Sequence, residues 1–303
     1  MISVSNSAPR AGAIDEAEAL RQLPSLVADP SEEVAQATLG LVSFALKYLA
    51  GPSLPELQRY AIGLYRPLAE RLGWEAVPGE PLPKAALRSA VLELLALEAE
   101  DPATRGEARD RGRKYLSGGA LHPEAVAPDL ATLALKVALQ EDTGPLFAEA
   151  LKVVLTLEDS GLRHRLLEAL GSVRDPKRLE QALGFSLDPR LHKNERFSSL
   201  WPAFDEPRTR EQAWIWLKAN VDKLAPLIPT GQVAGMPWLV SGFCDEERRA
   251  EIAAFFKPRL PTSPGMERNL AQAEERIHLC AARRQAGAPS VQASFRTKAT
   301  DSN

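Results

Sequence analysis

The chain has 303 residues, with 37 Lys plus Arg against 40 Asp plus Glu and a formal net charge of −3, a balance that lacks the basic excess of a phosphate-binding surface and argues against nucleic acid as a partner. Alanine and leucine supply 46 and 44 residues while aromatic residues make up 6%, which excludes an all-β protein and favours helices. With Cys244 and Cys280 as its two cysteines a disulfide scaffold is excluded, no apolar run reaches the roughly 18 residues of a membrane span, and the opening MISVSNSAPRAG lacks a signal-peptide core.

Helical signals follow one another along the chain. Ser31 opens a run that begins Glu-Glu. Across residues 84–100, Leu87, Val91, Leu94 and Leu95 fall at i, i+4, i+7 and i+8, one stripe on one helix face. Asp101-Pro102 places proline at a first helical position. Phe147, Leu151, Val154 and Leu155 repeat the stripe, as do Leu162, Leu166, Leu167 and Leu170, closed by Gly171. Trp214, Leu217, Val221 and Leu224 form another, and Asp245 precedes two glutamates.

Short punctuation such as Gly51-Pro52, Gly118-Gly119, Asp188-Pro189 and Glu206-Pro207 separates these stripes. The reading is roughly a dozen helices of about 10 to 20 residues, with no sustained period-2 strand. Helix pairs recur about every 35 to 45 residues, which predicts an all-α superhelical stack of antiparallel helix pairs, HEAT- or armadillo-like. No linker divides the chain, so residues 1–285 are expected to form a single helical-repeat domain. Residues 286–303 lose periodicity and are expected to be a disordered tail.

Catalytic chemistry finds no foothold in the residues. His122, His164, His192 and His278 stand at least 28 residues apart, and no H-E-x-x-H occurs, so no metal ligands and no catalytic residues are assigned. His122-Pro123-Glu124 lacks the P-C-x-x-C half of a zinc deaminase site and reads as proline opening a helix. Cys244 and Cys280 read as buried thiols. Neither phosphate-binding glycine pattern is present, nor a G-x-S-x-G elbow. The basic run Arg105, Arg109, Arg111, Arg113 and Lys114 is interleaved with Glu107 and Asp110 and reads as a solvated helix face. Trp201, Trp214, Trp216 and Trp238 read as core packing.

Several strings, in register, carry a family resemblance. Arg71-Leu72-Gly73-Trp74, followed by Pro78-Gly79-Glu80 and Leu87-Arg88, resembles the RLGW…PGE segment of the large zinc aminopeptidases, the family of aminopeptidase N and the puromycin-sensitive aminopeptidase. Residues 182–187 (ALGFSL), Asn194-Glu195, and Arg210, Ala213-Trp214 and 218–220 (KAN) are similar to segments that follow in that family. Phe255-Phe256 and the last helix, from Glu267-Arg268 to Glu275-Arg276-Ile277, complete the match, which is to the C-terminal helical domain alone.

The resemblance implies a bowl of helix pairs that closes over a catalytic domain, limits access to its active site and helps hold peptide substrate. Zinc and the exopeptidase loop belong, on the same resemblance, to the absent catalytic domain, so this chain alone is not expected to be an enzyme. Its partners are then that catalytic domain, in the same chain or in trans, and a peptide substrate, with neither nucleic acid nor membrane. The closer likeness is to the puromycin-sensitive branch, which implies a cytoplasmic location. Leu23, Pro24 and Ser172 stand where antigen-trimming members hold a peptide C-terminus, so that pocket is not carried over. Arg283 replaces a tryptophan of the relatives, which implies different C-terminal packing. A free-standing helical-repeat scaffold, binding another protein on its concave face, is the alternative reading.

Within residues 191–196 (LHKNER) the side chains serve no apolar stripe. Arg210 lies four residues before Trp214, and a cation at a helix N-terminus calls for a partner. Two readings stand: a local pair of Arg210 with Glu206 or Glu195, or a substrate groove lined by Asn194, Glu195 and Arg210.

Overall fold

Side-chain caps set several helix starts in the computed structural model, which describes residues 15–29, 31–77 and 79–296. Ser31, Asp159, Asp175 and Asp245 each accept the backbone N–H three residues on, at 3.4, 2.8, 2.9 and 2.7 Å. They open α2 (Glu32–Phe44), α8 (Ser160–Leu170), α9 (Pro176–Gly184) and α13 (Glu246–Phe256). Fourteen α-helices and one two-rung hairpin, Leu116 with Leu121 and Ser117 with Ala120, form the regular structure of the described residues besides short 3-10 and π turns. The fold is all-α.

The chain separates into two compact units, Met1–Ala108 with Ala127–Leu130 and Ala282–Asn303, and Arg109–Val126 with Ala131–Ala281. The first unit holds α1 (Glu16–Val27), α2, α3 (Leu54–Leu72), α4 (Leu82–Glu93), the start of α5 (Pro102–Tyr115) and the end of α14 (Met266–Ser294). Here α2 packs on α1 and α4, and α3 packs on the same two helices. Leu20, Leu57, Tyr65, Leu87, Val91 and Leu95 are closed to solvent. The Tyr65 hydroxyl lies 2.7 Å from Thr38 Oγ1, and burial pushes its phenol well above the ordinary range.

The expected tail from residue 286 is instead helical through Ser294, with Val291 fully buried; residues 297–303 lie outside the described residues. Gly287 and Pro289 break the sequence pattern without breaking the helix. A Cβ at Gly287 would press on the Glu16 side chain, so this glycine serves close approach to α1. Arg283, also on α14, pairs with Glu16 at 2.6 Å and lies 3.9 Å from the Phe44 ring centroid.

The second unit holds the rest of α5, α6 (Ala131–Gln140), α7 (Leu146–Val153), α8, α9, α10 (Leu200–Asp205), α11 (Arg210–Leu224), α12 (Thr230–Gly235), α13 and the start of α14. Helices two apart in sequence pack together: α6 on α8, α8 on α10, α9 on α11. Arg109–Glu141, Lys136–Glu168, Arg163–Glu195 and Arg174–Glu206 pair at 3.6, 2.6, 2.8 and 3.0 Å, and the two members of each pair stand 32 residues apart. Beyond α10, Arg248 reaches back 37 residues to Glu211, and Arg259 the same distance to Asp222.

The cysteines are not thiols. Cys244 and Cys280 form a disulfide across 36 residues, with their Cα atoms 5.0 Å apart, joining the approach to α13 with α14. Their positions are fixed by tertiary packing between segments far apart in sequence, which neither residue's local apolar context reveals.

Candidate functional site

The residues between α9 and α11 are organised by arginines, exposed Arg190 and buried Arg196 among them. Asp188 accepts both the backbone N–H of Arg190, at 2.9 Å, and its guanidinium, at 2.6 Å; the guanidinium bond holds the carboxyl below its usual range. Arg196 is 4% exposed and donates to the carbonyls of Ser186 and Leu191 at 2.8 and 3.0 Å. That ties the ends of the intervening turn together.

Glu195 is 5% exposed. One carboxylate oxygen accepts from Arg163 Nε on α8 at 2.8 Å, and the other accepts the backbone N–H of His192 at 3.0 Å. Arg210 is 6% exposed and donates to the carbonyls of Phe204 at 2.6 Å and Asp205 at 2.9 Å. Its guanidinium also sits 5.7 Å from the Phe243 ring centroid. Arg210 therefore closes the open C-terminal end of α10, where unpaired carbonyls attract a cation. Glu206 and Glu195, its expected partners, accept from Arg174 and Arg163. Of the three predicted groove residues, only Asn194 is exposed; its backbone carbonyl accepts from Gln232 at 3.5 Å.

The helix that opens at Arg210 uses its other motif residues structurally as well. Trp214 is fully buried against Phe255 and Phe256, with ring centroids 4.9 and 6.4 Å away. Its indole N–H and Lys218 both donate to Glu251, at 3.0 and 2.6 Å. Burial alone would raise the Glu251 carboxyl, but hydrogen bonds from Lys218, Trp214 and Arg248 hold it below its usual range. The tryptophans do not all pack inside, for Trp201 is 46% exposed.

Glu80 and Arg88 lie in the family-like strings, and their role emerges only from the fold. Arg88, closed to solvent, donates to Glu80 at 2.8 Å, Asp129 at 3.0 Å and the carbonyl of Glu75 at 3.4 Å. The signal was the spacing: eight residues separate Glu80 from Arg88, across a Pro-rich turn and two turns of α4.

His122 makes no metal site; its ring nitrogens lie 3.2 Å from the Ser117 carbonyl and 3.6 Å from Glu124, beside a 3-10 turn opened by Pro123. Among the described residues no group of three His, Cys, Asp or Glu is placed to hold a metal ion. Leu23 and Ser172 are 3% and 5% exposed.

The family described as ERAP1-like C-terminal domain matches residues 2–279. The chain belongs to that family. Aminopeptidase M1 of Arabidopsis thaliana is 27% identical over 230 residues, covering 74% of this chain and 25% of that protein. Aminopeptidase M1-B of rice (Oryza sativa subsp. japonica) is 27% identical over 249 residues, covering 79% and 28%. The mitochondrial aminopeptidase 2 of Saccharomyces cerevisiae is 22% identical over 224 residues, covering 73% and 23%. The chain thus spans about a quarter of the length of these relatives. No helix among the described residues is long and apolar enough to cross a membrane.

Proposed function

We propose that this chain is the non-catalytic C-terminal domain of a zinc aminopeptidase, that it encloses the active-site cleft, and that it helps to hold peptide substrate. The observation that carries this reading is the family match over residues 2–279, joined to relatives named aminopeptidases that are about four times as long as the matched segment. Zinc and the scissile chemistry then reside in the partner catalytic domain, in the same chain or in trans.

Support for a superhelical, bowl-forming repeat comes from the ion pairs that recur 32 and 37 residues apart, because a stack of helix pairs makes each layer touch only its neighbours. The disulfide between Cys244 and Cys280 weighs against the expected cytoplasmic location, since such bonds persist in oxidising compartments.

Within this reading Asn194 faces the peptide or the catalytic domain, while Glu195 and Arg210 hold its segment in place. The test pairs Asn194→Ala with Arg210→Ala in the chain assembled with its catalytic region. Asn194→Ala is expected to keep the wild-type melting temperature and raise KM for peptides several-fold. Arg210→Ala strands the buried Phe204 carbonyl and frees the partly exposed Asp205 carbonyl, and is expected to lose about 1–3 kcal/mol of stability. Unchanged kinetics for Asn194→Ala would remove it from the groove. Full aminopeptidase activity of the catalytic region without this domain, on long and short peptides alike, would overturn the enclosing role.

A further inference from the structure

In the first unit a cleft of about 320 Å³ opens between α2, the end of α3 and the start of α4, a size at the small end of ligand-binding cavities. Its floor is apolar: Ala35 on α2, Leu72 on α3 and Leu87 on α4 are 1%, 8% and 1% exposed. Its charges are sorted by element. Asp29 and Glu32, on the α2 side, are acidic, whereas Arg71 on α3 and Lys84 on α4 are basic.

Two of these charges are uncommitted. Asp29 accepts the Ser31 N–H at 2.8 Å, and Lys84 lies 3.6 Å from Glu80. The side chains of Glu32 and Arg71 have neither a hydrogen-bond nor an ion-pair partner among the described residues. Each suits the dipole of its own helix end, which accounts for its sign and leaves its charge open. A carboxylate and a guanidinium that share a cleft without meeting leave a gap between them. The molecule that closes such a gap carries an ammonium for Glu32, a carboxylate for Arg71 and an apolar body for the floor.

We infer that this cleft binds a free amino acid with an apolar side chain, its ammonium held by Glu32, its carboxylate by Arg71 and its side chain by Ala35, Leu72 and Leu87. The binding stands on the cleft alone. One consequence rests on the proposed function: amino acids are what an aminopeptidase releases, so the cleft would sense the enzyme's own product.

The test is a calorimetric titration of the full chain with L-leucine, beside leucinamide, which lacks the carboxylate, and N-acetyl-leucine, which lacks the ammonium. Arg71→Gln and Glu32→Gln are titrated in parallel, each first checked for an unchanged helical spectrum and melting temperature. Arg71 is exposed and Glu32 half-buried, and neither is paired, so folding should survive. Wild type is expected to bind one equivalent of L-leucine and to bind either blocked analogue at least tenfold more weakly. Arg71→Gln should bind L-leucine at least tenfold more weakly and no longer discriminate it from leucinamide. Glu32→Gln should weaken binding as much and lose instead the discrimination against N-acetyl-leucine. A merely structural role for either residue would not erase one discrimination and spare the other. No saturable binding by wild type up to millimolar concentration, or binding that both variants retain unchanged, would overturn the inference. Equal binding of all three molecules would reduce the cleft to an apolar patch and overturn it as well. None of these outcomes touches the proposed function, whose test is made with peptides.

Discussion

Arg88 and Glu80 form an ion pair at 2.7 Å with side chains 1% and 5% exposed, and Asp129 meets the same guanidinium at 3.0 Å. A cation this deeply buried is tolerable only because each of its partners is present. Arg88→Met is therefore expected to lower unfolding free energy by about 3 kcal/mol, the low end for breaking a buried pair, since it leaves buried Glu80 with the partly exposed Lys84, 3.6 Å away, to oppose its charge. Arg88→Lys should recover only part of the loss, because a point charge cannot reach Glu80, Asp129 and the Glu75 carbonyl together. Urea melts at neutral pH measure both; a loss under 1 kcal/mol for Arg88→Met would contradict the anchor.

Acid sensitivity should trace in part to Asp101. Burial alone would raise its carboxyl, but hydrogen bonds from Arg66 and Thr104 outweigh it and hold the folded-state value below the ordinary one. A depressed folded value means that the stability is fully present above the unfolded carboxylate value near 4 and is lost as pH falls below it. Asp101→Asn should be less stable than wild type at pH 7 and should lose less on acidification to pH 3. Parallel acid curves for the two proteins would show that the pair does not carry this dependence.

The disulfide closes a loop across 36 residues. Chain-entropy bookkeeping gives such a cross-link about 4 kcal/mol, with measured values scattered from about 0 to 5. Denatured, unreduced protein is expected to show no free thiol, and Cys280→Ser to melt at lower temperature. Two titratable thiols per chain in unreduced protein would refute the bond.

Two glycines at helix ends should respond oppositely to alanine. A Cβ at Gly171 would fall on the Ser199 carbonyl oxygen, whereas a Cβ at Gly184 would meet nothing within 4 Å. Gly171→Ala is expected to cost about 2–3 kcal/mol through forced separation of backbones, and Gly184→Ala to be neutral or to add about 0.5–1 kcal/mol. Thermal melts of the pair suffice to check the ordering.

Much of this architecture was legible in the residues. Leu87, Val91, Leu94 and Leu95 are buried as their spacing predicts, as are Trp214, Leu217, Val221 and Leu224, because a one-sided helix must hide its apolar stripe. The end of α14 was not legible: Gly287 and Pro289 are local breakers, and packing against Glu16 and Leu49 overrides them. Nor was the Cys244–Cys280 bond, which depends on two segments meeting across 36 residues. For the groove residues, polarity within residues 191–196 suggested a surface, yet Glu195 and Arg196 turn inward to meet Arg163 and the carbonyls of Ser186 and Leu191. Polar residues without a stripe can still be buried when each finds a partner.

The ion pairs of the second unit close over spans of 32 or 37 residues, while Arg283 meets Glu16 across 267 and Gln292 meets the Leu49 carbonyl across 243. Each rung of the second unit can therefore shut as soon as one further helix pair has left the ribosome, at little loop-closure entropy. The first unit follows a different timetable. Its helices α1 to α4 are made first, yet the seat for Arg283, Gly287 and Gln292 stays empty until residues 282–294 arrive, so the earliest-synthesised half of the fold is the last to be completed.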